Sequence, residues 1–261
     1  FHLKNFGKRL EMLNLKGLKS LEEIELKIQS KLSSLTANQW LVGFGWDQNL
    51  WRSKNYPDAS FLNQIIPNNP VYLTRIDGHS SWVNDCAISK TGQTLDEIKN
   101  QNGADVINGC IMIDNAMNSF KDCLPTDTKE QVKQWIKTAI KKTVAMGITG
   151  VHDAWQDATT VLAIQELIEE NDFPIRCYGM LGSNDTTLLN NFFQKGHYKS
   201  DYLTIRSVKA FIDGALGSRG AALLEPYSDD EHNCGLILIS KDEFQALAEQ
   251  CYQNNFQLCT H

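Results

Sequence analysis

The sequence predicts an α/β fold in which parallel strands alternate with helices, and three observations carry that expectation. From Thr128 onward, segments with a helical apolar period alternate with short apolar runs of strand length. Strand and helix in alternation imply a parallel sheet with crossover helices. Ionisable residues also collect where the strands end: His152 and Asp153, Lys209 and Asp213, and His261. Chemistry donated by several strands at their C-terminal ends is the habit of a (β/α)8 barrel. A doubly wound nucleotide fold would place GxGxxG after its first strand. The nearest match, Gly214-Ala-Leu-Gly217-Ser-Arg-Gly220, has the wrong spacing and follows a late strand.

The elements follow in order. Apolar positions Leu21, Ile24, Ile28, Leu32 and Leu35 make Ser20–Leu35 an amphipathic helix, with Ser20 as N-cap and Glu23 completing a capping box. Residues 39–45 and 70–76 read as strands, with a short helix over 61–66 between them. A further short helix spans 94–99. A hairpin spans 104–113, turning on Asn108-Gly109. Lys129–Met146 is a long helix closed by Gly147. Strands are then expected at 148–153, 175–181, 203–213 and 256–261, with helices at 159–171, 186–195 and 241–254.

Composition sets outer limits. The 261 residues suffice for one large domain or two modest ones, and a hydrophobic fraction of 42 % with 21 % charged is ordinary for a soluble globular chain. A net charge of −6 argues against a nucleic-acid surface. No run approaches the roughly 18 apolar residues of a membrane span. The seven cysteines show no CxxC spacing, which reads as reduced thiols in a reducing compartment; a cytoplasmic setting is the expectation. The first residue is Phe1 and the last six, Phe256 to His261, look like an unfinished strand. Both ends are therefore expected to continue in a longer polypeptide.

Several side chains invite a chemical reading. Lys209 lies in an apolar strand before a Gly-rich loop, where an ammonium is costly unless paired or chemically altered. A salt bridge, a metal, a substrate and a Schiff base all remain open for it. Of His152 and Asp153, only one can face the inside of a barrel, because strand neighbours point to opposite faces. His261 ends an apolar strand. Asp77-Gly78-His79 is a turn that exposes a histidine, with Trp82 close in sequence; Gly43-Phe-Gly-Trp46-Asp47 is an aromatic loop. There is no GxSxG elbow, no HExxH and no Walker loop.

Taken together, these segments resemble the YtcJ-like amidohydrolases, a group that includes N-substituted formamide deformylases. The resemblance runs through Gly43-Phe-Gly-Trp46-Asp47, then residues 70–84 (PVYLTRIDGHSSWVN), Gly147-Ile-Thr-Gly-Val-His152-Asp153-Ala, and residues 208–222 (VKAFIDGALGSRGAA). It implies a partial (β/α)8 TIM-type barrel holding strands one to five. Residues 1–9 would end strand one, 10–127 would form an inserted α/β subdomain over the barrel mouth, and 128–261 would supply strands two to five. It implies one or two divalent metal ions, zinc foremost, held by His2, a carboxylated Lys209 and His261. The remaining ligands and the catalytic Asp would lie outside this chain.

The same resemblance assigns substrate or oxyanion contacts to His79, His152 and Arg219. Trp46, Asp77, Trp82, Asp153 and Asp213 would line the pocket. The implied reaction is hydrolysis of a non-peptide C–N bond in a small amide-type substrate by a metal-activated hydroxide, with no nucleic-acid or membrane partner and room for a homo-oligomer. Two alternatives stand beside it: a catalytically incomplete fragment or binding relic, and a Schiff-base lyase using Lys209.

Overall fold

The computed structural model describes residues 1–33 and 35–261 and divides into two compact units, one of Arg9–Asp127 and one of Phe1–Lys8 with Thr128–His261. The chain does not begin as a strand end over residues 1–9. Leu3–Glu11 is a helix, α1, and only Phe1 and His2 precede it. The reason is legible in the spacing. Leu3 and Gly7, four apart, are the buried positions of one helical face. Gly7 is required there, because a Cβ would stand 1.8 Å from the Trp135 carbonyl oxygen.

In the Arg9–Asp127 unit, β1 (Leu13–Asn14) is followed by α2 (Leu21–Leu32), β2 (Leu41–Trp46), α3 (Ala59–Ile65), β3 (Val71–Arg75) and β4 (Ser80–Val83). Then come α4 (Asp85–Lys90), α5 (Leu95–Lys99), β5 (Ala104–Ile107) and β6 (Ile111–Asp114). The strands form one mixed sheet in the order β1-β2-β3-β4-β6-β5. Both faces are covered. Val71, Leu73, Trp82 and Ile111 pack with Ile24, Ile28 and Leu62, while Tyr72, Val83 and Met112 pack with Ile88, Ile98 and Phe120. Two buried faces explain why β4 is buried along its whole length and why β3 opens on the apolar Val71-Tyr72-Leu73. At the hairpin tip Asn108 and Gly109 both have positive φ, 52° and 69°, as a type I′ turn demands. The α2 helix keeps its Ser20 cap, but Glu23 reaches back to the Lys19 N–H, not to that of Ser20.

In the other unit, α6 (Lys129–Ala145) leads into β7 (Gly150–Gln156), α7 (Ala158–Glu169), β8 (Arg176–Gly182), α8 (Thr186–Lys195), β9 (Tyr198–Lys199), β10 (Leu203–Ala210), α9 (Lys241–Gln253) and β11 (Gln257–Thr260). Four strands pair in parallel and in sequential order, β7-β8-β10-β11. Among the described residues this sheet is open and does not close on itself. Its order never reverses, so it lacks the switch point of a doubly wound sheet. Val151, Cys177, Ile205, Val208 and Ala210 face the helices and join Val132, Ile136, Ile164, Leu167 and Leu189 in one core. Among the described residues no helix of this unit packs on the opposite face. Among the described residues no helix is long and apolar enough to cross a membrane.

The α6 start is a full capping box, with Thr128 Oγ1 accepting from the Gln131 N–H and the Gln131 side chain accepting from the Thr128 N–H. Thr128→Ala is expected to cost about 1 kcal/mol, read as a lower urea midpoint at unchanged slope.

Candidate metal and substrate site

Lys209 and His261 meet at the C-terminal ends of β10 and β11. In the parallel register Lys209 is paired with Cys259, two residues before His261, so all three side chains belong to the helix-free face. The Lys209 ammonium stands 4.6 Å from the centroid of the Phe211 ring and 3.3 Å from the Ala210 carbonyl oxygen. The His261 ring lies 5.2 Å from the same Phe211. The backbone locks this corner, with His261 N–H donating to Ala210 O at 2.9 Å and Ile212 N–H to His261 O at 3.2 Å. Burial lowers the Lys209 amine from its ordinary value, with the neighbouring Cys259 opposing.

His152 is on this face as well, on the other side of β8. It pairs in register with Tyr178, their rings 5.0 Å apart, and Tyr178 Oη donates to Gln257 at 2.9 Å. His2 leads into α1 beside Asp153. Among the described residues no three His, Cys, Asp or Glu side chains are grouped closely enough to hold a metal ion. Lys209 is a donor type outside that set. Imidazoles are of the donor type that suits a divalent cation. Two neighbours went unread in the sequence. Phe211 and Trp155 stand at the strand ends beside Lys209, and their position after the polar residues of β7 and β10 was the available signal.

A model of the amidohydrolase family matches residues 1–261. The chain belongs to that family. It is 26 % identical to the protein LONG AFTER FAR-RED 3 of Arabidopsis thaliana, covering all of this chain and 47 % of that protein. It is also 26 % identical to the putative amidohydrolase YtcJ of Bacillus subtilis, covering 50 % of it. Among solved structures, a metal-dependent hydrolase of Pyrococcus furiosus superposes with a TM-score of 0.78 at 25 % identity, over all of this chain and 53 % of that one. A metal-dependent hydrolase of Pyrococcus horikoshii gives 0.77 at 25 % over 51 %. This amidohydrolase chain thus spans about half the length of the relatives it matches.

The structure places the other expected site residues differently. Trp46 and Trp82 do not line an open pocket. Both are fully buried, with ring centroids 6.0 Å apart, and Trp46 Nε1 donates to Leu73 O at 2.7 Å. They are core because both faces of their sheet are covered. Asp77 binds Arg75, which also donates to Asp47 at 3.1 Å and Gln48 at 2.9 Å. Asp77 also accepts the His79 N–H at 3.1 Å, and the His79 ring meets Asp114 at 3.0 Å in solvent. Arg219 is taken up by a two-pronged pair with Asp229, at 3.1 and 2.9 Å. Asp213 accepts the Ala222 N–H at 3.0 Å and so organises the loop after β10.

Asp153 faces the helices, opposite to His152, and is 1 % exposed. Its carboxylate accepts from the Leu3 N–H at 2.9 Å, at the start of α1, and from Gln156 Nε2 at 2.9 Å. It is a structural anchor and not a pocket wall. Burial raises this carboxyl above its ordinary value, against the hydrogen bonds from Gln156 and Leu3. An acid with a raised folded pKa contributes stability below its unfolded value, and that contribution is lost as the pH climbs through the folded one. The loss therefore begins near 3.8. Asp153→Asn keeps an acceptor for the Leu3 N–H, and its amide nitrogen pairs with Gln156 once that side chain flips to present Oε1 in place of the Nε2 that now donates to Asp153. Thermal midpoints from pH 4 upward should fall less in this variant, leaving it more stable by about 1 kcal/mol at neutral pH. A wild-type midpoint that rises with pH relative to Asp153→Asn contradicts this.

Proposed function

We propose that this chain supplies part of a metal-dependent hydrolase site on a (β/α)8 barrel, acting on a non-peptide C–N bond such as that of an N-substituted formamide. The observation that carries the reading is Lys209: a lysine on the helix-free face of a sequentially ordered parallel sheet, at its C-terminal edge, beside His261. Sequential order with chemistry at the strand ends is what a barrel segment presents. The family match and the metal-dependent hydrolases among the similar structures support the same reading. The remaining donors and the proton-accepting carboxylate would come from sequence matching the part of the relatives that this chain does not cover.

In this reading His2, Lys209 and His261 hold one or two divalent ions, zinc foremost. A bound cation of that kind polarises an amide carbonyl and lowers the pKa of water near neutrality. Lys209 contributes through its amine. A neutral lysine amine adds carbon dioxide and releases one N–H proton, giving a carbamate anion on a long arm, and burial lowers the Lys209 amine from its ordinary value. His152, on the same face and held against Tyr178, is placed to donate a hydrogen bond to a substrate carbonyl. The proposed substrate is a small neutral amide.

A lowered lysine amine equally suits a Schiff base. Borohydride with a keto substrate separates the two. A covalent adduct at Lys209, with activity that survives chelation, would replace the hydrolase reading. Chelation is instead expected to abolish activity, and added zinc to restore it.

A further inference from the structure

Trp155 has the most unusual backbone beside the candidate site. Its φ is 140°, a region that a side chain rarely adopts, and the β7–β8 register slips across it between Ala154 and Gln156. Such strain persists only where the surroundings enforce it. Here they do. The indole lies directly over Gly182, where a Cβ would come within 2.7 Å of Trp155 Cε2. The indole then meets Phe211 at 5.2 Å between ring centroids, tilted by 41°. Phe211 continues to His261 at 5.2 Å and carries the Lys209 ammonium 4.6 Å from its centroid. Three rings drawn from β7, the segment after β10, and the end of β11 form one shelf, and Lys209 ends at its middle member. Among the described residues Phe211 is 37 % exposed.

We infer that Trp155 and Phe211 are specificity-determining residues that select a substrate bearing a flat ring next to its scissile amide. The inference rests on the hydrolase reading above for the position of the reacting bond. The physical reason is that offset and edge contacts between rings favour an aromatic group over an aliphatic one of similar area. A bulged Trp resting on a glycine fixes the shelf's height, and Phe211 sets its distance from Lys209.

The test uses the full chain, stripped of metal by chelation, with benzamide and butyramide as neutral amide probes in equilibrium binding. Wild type should bind benzamide roughly five- to tenfold more tightly than butyramide. Phe211→Leu, chosen to keep apolar volume, and Trp155→Ala should each bring that ratio close to one, with far-UV circular dichroism unchanged. A wild-type ratio near one, or a ratio that survives both variants, overturns the inference.

A second measurement addresses the strain. Trp155→Gly should be more stable than Trp155→Ala, since both lack the ring and only glycine accepts φ near 140° freely. Equal stability would contradict a strained Trp155. The two readings fail separately. Metal-loaded protein that prefers the ring but cleaves no amide overturns the hydrolase reading, whereas cleavage indifferent to the ring overturns this inference alone.

Discussion

Lys209→Met should lower amide hydrolysis by about a thousandfold or more, and remove most of the bound metal, while leaving the fold intact. The size follows from the role. Loss of a bridging group removes several kcal/mol of transition-state stabilisation, and each 1.4 kcal/mol is about tenfold in rate. The fold should survive because Lys209 is half-buried on the helix-free face, outside the core of Val208 and Ala210 that packs on the helices. Methionine matches the lysine stem, so the stability change should stay within about 1 kcal/mol. Metal content per chain, steady-state rates and a thermal midpoint measured on one preparation decide it. Retained metal with a modest loss of rate would mean that Lys209 is only a packed cation over Phe211. A collapsed midpoint would mean that its role is structural.

Trp82→Ala should cost about 3–5 kcal/mol, the usual range for truncating a buried aromatic. Trp82 is fully buried and lies within 6.0 Å of Trp46, 6.3 Å of Trp51 and 5.3 Å of Phe61 between ring centroids. Its loss opens a cavity in the Arg9–Asp127 unit that no neighbour can fill without leaving its own contacts. A pocket-lining Trp82 would behave otherwise, with a raised KM and a nearly unchanged midpoint. Denaturant unfolding followed by near-UV circular dichroism, beside KM, separates the two.

The repetitive architecture was legible because its signals are local. Helix α6 is written in Thr128, Gln131 and the spacing of Val132, Ile136, Ala139 and Ile140. The hairpin is written in Asn108-Gly109. Strand ends were legible in their polar residues, and Lys209 and His261 do share one corner. Three things were not local. Residues 1–9 contain Leu3 and Gly7 at helical spacing, but their assignment to a strand end came from the family resemblance, and the helix is decided by Gly7 against Trp135. The roles of Trp46 and Trp82 depend on a sheet covered on both faces, which no single segment encodes. Arg219 and Asp213 looked free because their partners, Asp229 and the Ala222 N–H, are contacts made only once the loop after β10 folds back.

Trp155 shows the limit from the other direction. Nothing in Gly-Val-His-Asp-Ala-Trp-Gln announces a positive φ at a tryptophan. The signal lies in Gly182, a glycine on the neighbouring strand whose missing side chain leaves room for the indole.

The most direct test of the central claim is a crystal structure of the full-length protein grown with zinc, with anomalous data collected on both sides of the zinc edge. A metal peak is expected in contact with His2, His261 and an elongated, carboxylated Lys209 side chain on the helix-free face of β10 and β11. A map without metal there, with Lys209 an unmodified ammonium resting on Phe211, would contradict it.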